Sequence, residues 1–154
     1  MITAWRLCNR LFAEPVGEGA RIYGGRWNPV GYAVVYSSEC LPLATLEALV
    51  HTRRRPDDQV YIQVSFDETL VREVEALYSL PDGLNLDEPA TQKIGARWVD
   101  EGSCAVLSVP SVVVSIARNY LLNPKHPAFP FVSCSRTTAY SFDDRLVHPV
   151  AACA

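Results

Sequence analysis

The sequence predicts an α+β fold, a single compact domain in which mixed β-sheets are packed with a few helices. The chain has 154 residues, of which 49% are hydrophobic, and this size and apolar content suit one globular domain with its own core. Strand-like runs alternate with only two clear helices, which favours α+β over a doubly wound sheet. Neither internal repeats nor low-complexity segments interrupt the pattern. We therefore expect residues 1–154 to form one domain.

The first 52 residues are predicted to form two strands, a loop and a helix. A first strand is predicted at residues 2–7. Residues 14–29 indicate a loop, because they are rich in glycine and end in an Asn-Pro pair that disfavours helix. Residues 32–37 form a short apolar run with β-branched side chains, typical of a strand buried on both faces. Leucines at helical spacing then predict a helix over residues 41–52 that packs on this strand.

The middle of the chain is predicted to form a strand, a short ambiguous element and a long helix. Residues 60–66 alternate in side-chain character as a strand does. Residues 71–77 fit either a short strand or a turn of helix. Residues 88–101 are predicted as a helix that carries Ile94 and Trp98 on one side.

The last third of the chain is predicted to consist of strands separated by turns. Strands are expected at residues 105–109 and 112–116, on either side of a break at Pro110-Ser111. Residues 119–130 indicate a loop that prolines make rigid, and a last strand is expected from residue 131 to about residue 140.

Charge and cysteine content disfavour several classes of protein. A formal net charge of −3 argues against a protein whose main function is to bind nucleic acid, because neutralising phosphates requires clustered Lys and Arg. The one basic run, residues 53–55, stands beside acidic residues and is predicted to be a solvated helix end. The five cysteines are scattered without a C-x-x-C pair, which favours reduced thiols over a disulfide framework or a zinc site.

Membrane and nucleotide-fold signals are missing from the sequence. No apolar stretch is long enough to span a bilayer, and the first residues lack the basic-then-apolar pattern of a signal peptide. We therefore expect a cytoplasmic protein. No G-x-G-x-x-G motif follows a strand and no P-loop pattern occurs, which disfavours dinucleotide-fold and phosphate-loop proteins.

The densest group of candidate ligand-binding residues is the sequence Gly-Gly-Arg-Trp-Asn-Pro at residues 24–29. A glycine such as Gly25 lets the backbone turn tightly or approach a ligand. Arg26 supplies a planar fork for phosphate oxygens, and Trp27 offers a face for stacking on a base. Asn28 adds an amide. The same residues also fit an ordinary turn with a buried Trp and a surface Arg, so this motif leaves both interpretations open.

Two further candidates are a tyrosine and a glutamate. Tyr36 ends a predicted buried strand, where a tyrosine is commonly a core residue with a satisfied hydroxyl. Glu47 lies in the predicted helix among Leu43, Leu49 and Val50, which we expect to face the core. A carboxylate near an apolar face needs a partner or a shifted pKa, although a rim glutamate facing solvent fits equally well.

A serine and a short loop complete the candidates. Ser111 is a lone hydroxyl in an apolar stretch, so it either bonds its own backbone at a strand break or reaches into a site. Asn119 and His126 lie in the proline-rich loop, which can wall a pocket. His51, His126 and His148 show no metal-ligand spacing and fit surface positions as well.

Several motifs in a fixed order resemble the RES-domain family over nearly the whole chain. The first half carries Gly24-Gly25-Arg26-Trp27-Asn28-Pro29, Gly31, Val35-Tyr36-Ser37-Ser38 and Leu43-Ala44-Thr45-Leu46-Glu47 with His51. The second half carries Leu80-Pro81, Thr91, Gly95-Ala-Arg-Trp98, Leu107-Ser-Val-Pro-Ser111, Asn119-Tyr-Leu-Leu-Asn-Pro-Lys-His-Pro127 and Phe142-Asp-Asp-Arg-Leu146. The resemblance runs from about residue 5 to 146. Its one departure is Asp144, where the family has Pro.

This resemblance implies a fold like that of the ADP-ribosyltransferases and a bacterial toxin that destroys NAD. It implies as partner an Xre-like antitoxin that covers the active site. By the same likeness, the catalytic group corresponds to Arg26, Tyr36, Glu47 and Ser111. We expect NAD to be bound by Arg6, Gly25, Arg26, Trp27, Asn28, Tyr36, Asn119 and His126. No metal is expected.

These residue types suit cleavage of the nicotinamide–ribose bond, which leaves oxocarbenium-like charge on the sugar. Glu47 would stabilise that charge and hold the ribose hydroxyls, while Arg26 would pair with the pyrophosphate. Tyr36 would stack on or orient the ribose, and Ser111 would hydrogen-bond nearby. Arg6 is a candidate for an anion-binding cation beside Glu47, although a strand-end Arg with a structural partner fits as well.

The acceptor of the ribosyl group stays open at this point. Water would make the protein a glycohydrolase, inorganic phosphate a phosphorylase, and a protein side chain an ADP-ribosyltransferase. Two other classes are also possible: a non-catalytic interaction module, and a ribonuclease toxin, against which the acidic charge balance counts.

Overall fold

In the computed structural model, the described residues are 1–51, 56–80 and 87–147. They contain eight strands and four α-helices. The strands are β1 (Ile2–Asn9), β2 (Val35–Ser38), β3 (Gln59–Phe66), β4 (Val71–Glu73), β5 (Val106–Pro110), β6 (Arg118–Leu122), β7 (Ser133–Cys134) and β8 (Thr138–Tyr140). The helices are α1 (Glu18–Tyr23), α2 (Leu41–His51), α3 (Val74–Leu77) and α4 (Glu88–Glu101).

The strands form one mixed sheet in the order β4-β5-β6-β2-β1-β3-β7, and β8 also pairs with β3. Only the β4–β5 pair is parallel among the described strands, and the other pairs are antiparallel. The long β1–β3 pair runs from Ile2 opposite Phe66 to Asn9 opposite Gln59. The short strand β2 lies at the centre, between β1 and β6.

The two faces of the sheet bury separate apolar clusters, because successive strand residues point to opposite sides. Val35 of β2 belongs to a cluster on the first face with Ile62 and Leu122. Its neighbour Tyr36 packs against a cluster on the second face that includes Trp98 and Leu121. Polar side chains that alternate with this apolar set therefore also lie on the second face.

Helix α4 covers part of the second face and begins and ends as its sequence dictates. Pro89 stands in its first turn, where a missing N–H costs nothing, and Gly102 ends it in the left-handed conformation at φ 57°. Its buried residues Thr91, Gly95 and Trp98 lie on one side of the helix. A Cβ at Gly95 would overlap the carbonyl oxygen of Trp27, so only glycine permits this close contact.

Most elements predicted from the sequence are confirmed. These are the strands expected at residues 2–7, 60–66 and 105–109 and the helices expected at 41–52 and 88–101. The strand expected at residues 32–37 is present but begins only at Val35. Residues 71–77 contain both alternatives, the strand β4 followed by the helix α3. The predicted end of α2 at residue 52 and the basic run at residues 53–55 lie outside the described residues, as do Pro81, His148 and Cys153.

Three predictions for irregular segments were wrong. Residues 14–29 contain the helix α1, which starts after Gly17 at φ 72°. Residues 112–116 form a turn instead of a strand, because the Ser111 hydroxyl accepts hydrogen bonds from the N–H groups of Val113 and Val114. The loop expected at residues 119–130 begins later, since its first residues belong to β6.

The last strand and the face of α2 also differ from expectation. The strand predicted from residue 131 is divided into β7 and β8, after a 3-10 turn at Phe129–Phe131. Helix α2 buries Leu43 and the small residue Ala44, whereas Val50 is 61% exposed. The small residue on the buried side lets the helix lie close to the sheet. The spacing of large apolar residues therefore predicted the wrong buried face.

The described cysteines Cys8, Cys40, Cys104 and Cys134 are free thiols. Within the described ranges, no helix is long and apolar enough to cross a membrane.

Candidate active site

A cavity of about 540 Å³ opens on the second face of the sheet, between α2 and the segment that runs from α1 to β2. Its volume falls within the range of about 300 to 1,000 Å³ that is typical of small-molecule sites. The sheet contributes Arg6, Tyr36, Ser38 and Asn119, α2 contributes Glu47 and His51, and residues 24–29 contribute Gly25, Arg26 and Trp27. We call residues 24–29 the arginine loop.

Asn28 gives the arginine loop its shape. The loop closes with a backbone hydrogen bond of 2.9 Å from the N–H of Gly25 to the carbonyl of Asn28. The Asn28 amide donates to the carbonyls of Ala20, Pro29 and Tyr32 at 2.9 to 3.1 Å. Asn28 is fully buried and does not line the cavity. Its amide is therefore committed to the loop itself.

The Tyr36 hydroxyl ties the arginine loop to the centre of the sheet. It accepts a hydrogen bond of 3.0 Å from the N–H of Trp27 and donates one of 2.7 Å to Oδ1 of Asn28. A Cβ at Gly25 would lie 2.7 Å from this hydroxyl, so the glycine is required for the approach. Burial, more than any other factor, raises the pKa of Tyr36, and the phenol therefore remains neutral.

Helix α4 holds the outer side of the arginine loop. The Thr91 hydroxyl donates to the carbonyl of Arg26, and the Gln92 amide donates to the carbonyl of Gly25 at 2.9 Å. The loop backbone is thus fixed by β2 on one side and by α4 on the other. This arrangement holds the half-buried Arg26 at the wall of the cavity.

Two donors hold the Glu47 carboxylate, one directly after β5 and the other in β6. Its Oε1 accepts a hydrogen bond of 2.7 Å from the Ser111 hydroxyl and one of 2.6 Å from the amide nitrogen of Asn119. Among the described residues, no donor is hydrogen-bonded to Oε2. Ser111 is buried and does not line the cavity itself. It acts on the cavity only through Glu47.

Arg6 of β1 borders the cavity and is a buried cation, with 8% of its surface exposed. Its neighbour Trp5 is paired with Ser38 on the second face, so the Arg6 side chain leaves the strand toward the first face. Its guanidinium donates to the carbonyls of Tyr36 and Phe12 at 3.2 and 3.0 Å. Within the part of the chain that is described, Arg6 forms no salt bridge and its buried Nε has no hydrogen-bond partner. A buried charge of this kind is balanced when an anion binds beside it.

The structure brings most of the predicted site residues together. Arg6, Gly25, Arg26, Trp27, Tyr36, Glu47 and Asn119 line the cavity, and Ser111 touches Glu47. His126 lies elsewhere, beyond the end of β6 that is remote from Asn119, and its Nδ1 accepts a hydrogen bond from the N–H of Ala128. Trp27 lines the cavity but is 97% buried, so it exposes little surface for stacking.

Sequence reasoning missed Ser38 and His51 as cavity residues. Ser38 follows Tyr36 by two positions in a strand, and His51 follows Glu47 by four positions in a helix. Both spacings place the side chains on the same side of their element, which is the signal that could have identified them. Among the described residues, no three His, Cys, Asp or Glu side chains are grouped so as to hold a metal ion.

Comparisons with known proteins agree on one family. The family profile of the RES domain matches residues 3–143. The Prs ADP-ribosylating toxin of Sphingobium sp. (strain YBL2) is 36% identical over 138 residues, which cover 85% of each chain. A Toxin Res of Yersinia enterocolitica is 33% identical over 137 residues, covering 84% of this chain and 88% of the relative.

A solved structure with the same fold is that of the MbcT–MbcA toxin–antitoxin complex of M. tuberculosis. The likeness has a TM-score of 0.69 at 15% sequence identity and covers 91% of this chain and 84% of the matched one. It confirms the α+β fold that the sequence predicts.

Replacement of Tyr36 by Phe tests the role of its hydroxyl. The variant leaves Oδ1 of Asn28 and the N–H of Trp27 without their partner, so we expect the free energy of unfolding to fall by about 1 to 3 kcal/mol. Chemical denaturation measures this change. Tyr61→Phe is the control, because no described residue is hydrogen-bonded to that hydroxyl. An equal loss in both variants would show that the Tyr36 hydroxyl does not hold the loop.

Proposed function

The chain belongs to the RES-domain family, and from that premise we propose that it is an enzyme that cleaves NAD at the nicotinamide–ribose bond. We further propose that it is the toxin of a type II toxin–antitoxin pair and depletes cytoplasmic NAD. The observation that carries the proposal is the Glu47 carboxylate, held by two donors in the wall of a cavity that also contains Arg6 and Arg26.

Glu47 suits the electronic demand of this cleavage. As the bond between C1 of the ribose and the nicotinamide nitrogen breaks, the electron pair leaves with nicotinamide and positive charge develops on the sugar. A carboxylate fixed beforehand stabilises that charge without reorganising. Nicotinamide departs as a neutral molecule, so the site needs no strong general acid.

The two arginines suit a dinucleotide with a negative pyrophosphate. Arg26 offers a planar fork for phosphate oxygens, and the buried Arg6 supplies positive charge that no described carboxylate neutralises. Gly25 allows close approach to the loop backbone. We propose that Tyr36 contributes its ring to the ribose pocket, since its hydroxyl is engaged by the arginine loop. Asn119 and Ser111 act on the Glu47 carboxylate.

The acceptor defines the reaction type. Attack by water yields ADP-ribose, and attack by inorganic phosphate yields ADP-ribose 1-phosphate. In either case the ribosyl carbon gains an oxygen as it loses nicotinamide. Transfer to a protein side chain is the second candidate, favoured by the relative named as an ADP-ribosylating toxin.

Incubation of the purified chain with NAD, with and without phosphate, separates these reactions. Chromatography distinguishes ADP-ribose from its 1-phosphate, and labelled NAD reveals modified protein. Intact NAD after prolonged incubation, with all three products missing, would favour a non-catalytic interaction module. RNA in a parallel reaction tests the ribonuclease alternative, for which we expect no cleavage.

We propose that a separately encoded Xre-like antitoxin controls the enzyme by covering the cavity. The structural relative MbcT is solved in complex with MbcA as a toxin–antitoxin complex. The mouth of the cavity carries exposed apolar side chains, including Tyr23 and Val112, which suit contact with another protein. A carboxylate of the partner could occupy the anion site beside Arg26, because donors that fit pyrophosphate also fit a peptide carboxylate.

Glu47→Gln is expected to keep the fold and remove activity. The amide oxygen of Gln can still accept from Ser111 and Asn119, but the neutral side chain cannot stabilise a cation. NAD consumption should fall by at least about 100-fold. Glu39→Gln is the matched control, since Glu39 is exposed and does not line the cavity. Near-normal NAD depletion in cells expressing Glu47→Gln would refute the assigned role.

Arg26→Lys is expected to weaken NAD binding, because a point charge replaces a planar two-pronged donor. The Michaelis constant for NAD should rise by about 10-fold. Arg97→Lys is the control, as that arginine is exposed on α4 and pairs with Glu101. A wild-type Michaelis constant in Arg26→Lys would rule out the pyrophosphate role.

Hydrogen exchange of the antitoxin complex tests the mode of control. We expect protection in the arginine loop, in α2 and in residues 119–127, accompanied by loss of NAD binding. The free chain serves as the reference. Protection confined to β7 and β8, with NAD still able to enter, would show that the partner acts by another route.

A further inference from the structure

Ser38 belongs to a row of side chains that crosses the second face of the sheet. It pairs with Asn119 of β6 on one side and with Trp5 of β1 on the other. Ser38 is 95% buried, and its hydroxyl donates a hydrogen bond of 2.7 Å to Oδ1 of Asn119. The same Asn119 amide donates through Nδ2 to Oε1 of Glu47. Ser38 is therefore linked to the Glu47 carboxylate through a single intervening residue, Asn119.

The direction of these bonds is set by chemistry. A carboxylate only accepts hydrogen bonds, so the amide must turn its nitrogen toward Glu47 and its oxygen away. The oxygen then faces Ser38, whose hydroxyl can donate to it. In the flipped orientation, Oδ1 of Asn119 would lie about where Nδ2 now lies, so two acceptor oxygens, Oδ1 of Asn119 and Oε1 of Glu47, would be in close contact. The Ser38 hydroxyl thus favours the orientation in which Asn119 is a donor to Glu47.

Ser111 completes the arrangement from the opposite side. Its hydroxyl oxygen accepts from the N–H groups of Val113 and Val114, which leaves its hydrogen directed to Oε1 of Glu47. Both fixed donors therefore converge on one carboxylate oxygen. The other oxygen, Oε2, has no hydrogen-bond donor among the described residues.

We propose that Ser38 is a positioning residue for the reaction, acting through Asn119 to orient Glu47 so that Oε2 is presented to the ribose. This inference rests on the proposed function. Ser38 itself makes no contact with reacting atoms in this scheme. Its effect is on the rate of bond cleavage, while the arginine side chains that bind the pyrophosphate are untouched.

Ser37 provides a matched comparison within the same strand. It is as buried as Ser38, and its hydroxyl donates a hydrogen bond of 3.0 Å to the carbonyl of Tyr120. Ser37 borders the cavity, but because side chains alternate along a strand, its hydroxyl leaves the strand toward the first face, away from Glu47. Loss of either hydroxyl removes one buried hydrogen bond, but only Ser38 is linked to the carboxylate.

A double-mutant cycle in the full chain tests the proposal. The variants are Ser38→Ala, Asn119→Ala, their combination, Ser38→Thr and Ser37→Ala, each assayed for kcat and KM with NAD and for unfolding by denaturant. We expect Ser38→Ala to lower kcat by about 10-fold with KM changed by less than about 2-fold. Ser38→Thr keeps a hydroxyl and should restore most of kcat. Ser37→Ala should keep wild-type kcat at a similar cost in stability.

The combined variant gives the decisive result. If Ser38 acts through Asn119, its removal has no further effect on kcat once Asn119 is alanine. If the combined variant loses kcat by the product of the two single reductions, the proposal is overturned. Equal kcat values in Ser38→Ala and Ser37→Ala would also overturn it. Should Ser38→Ala fail to fold, Ser38→Cys replaces it, because a thiol is a weak donor of similar size; wild-type kcat in that variant also overturns the role.

The wild-type assay separates this proposal from the one on which it rests. An inactive wild-type chain refutes the proposed function, and the positioning role with it. If the wild-type chain is active, but the double variant loses kcat by the product of the two single reductions, only the role of Ser38 is refuted.

Discussion

The buried hydroxyl of Tyr36 is the interaction on which the geometry of the site depends. Through one oxygen atom it joins the central strand β2 to both Trp27 and Asn28 of the arginine loop. Asn28 in turn holds the carbonyls of Ala20 and Tyr32. Because burial raises the pKa of this phenol, the hydrogen-bond network keeps its donor and acceptor pattern over the physiological pH range. The Tyr36 hydroxyl is thus a structural link that fixes the loop carrying Arg26.

A second feature of the site is that Glu47 and Arg6 are held by neutral groups. Glu47 is fixed by a serine and an asparagine, and Arg6 by two backbone carbonyls. Neutral partners orient these charges without cancelling them. Both side chains therefore keep their full charge in a largely buried setting. This property separates the cavity from the exposed ion pairs elsewhere, such as Arg97 with Glu101.

Sequence patterns predicted the periodic parts of the fold, and seven of the predicted site residues line the cavity. They could not assign Asn28, because its amide bonds are made to backbone carbonyls whose positions depend on the folded loop. They misplaced the strand at residues 112–116, because the Ser111 hydroxyl overrides β-branched propensity there. The buried face of α2 was also predicted wrongly. Helical spacing identifies an apolar stripe along the helix, but it does not show which part of that stripe packs on the sheet. His126 fits the motif order of the family but lies past the far end of β6.

The close contact of Gly95 with Trp27 has a consequence for how the protein acquires its site. The contact joins positions that are far apart in the chain, and Glu47 likewise depends on Ser111 and Asn119. The cavity is therefore completed by pairings with high contact order. Such pairings form late, after the entropy of closing long loops has been overcome. A chain of which only the first half has been synthesised lacks α4, β5 and β6 and therefore cannot assemble the cavity. The geometry thus delays assembly of the cavity until the C-terminal half of the sheet has folded.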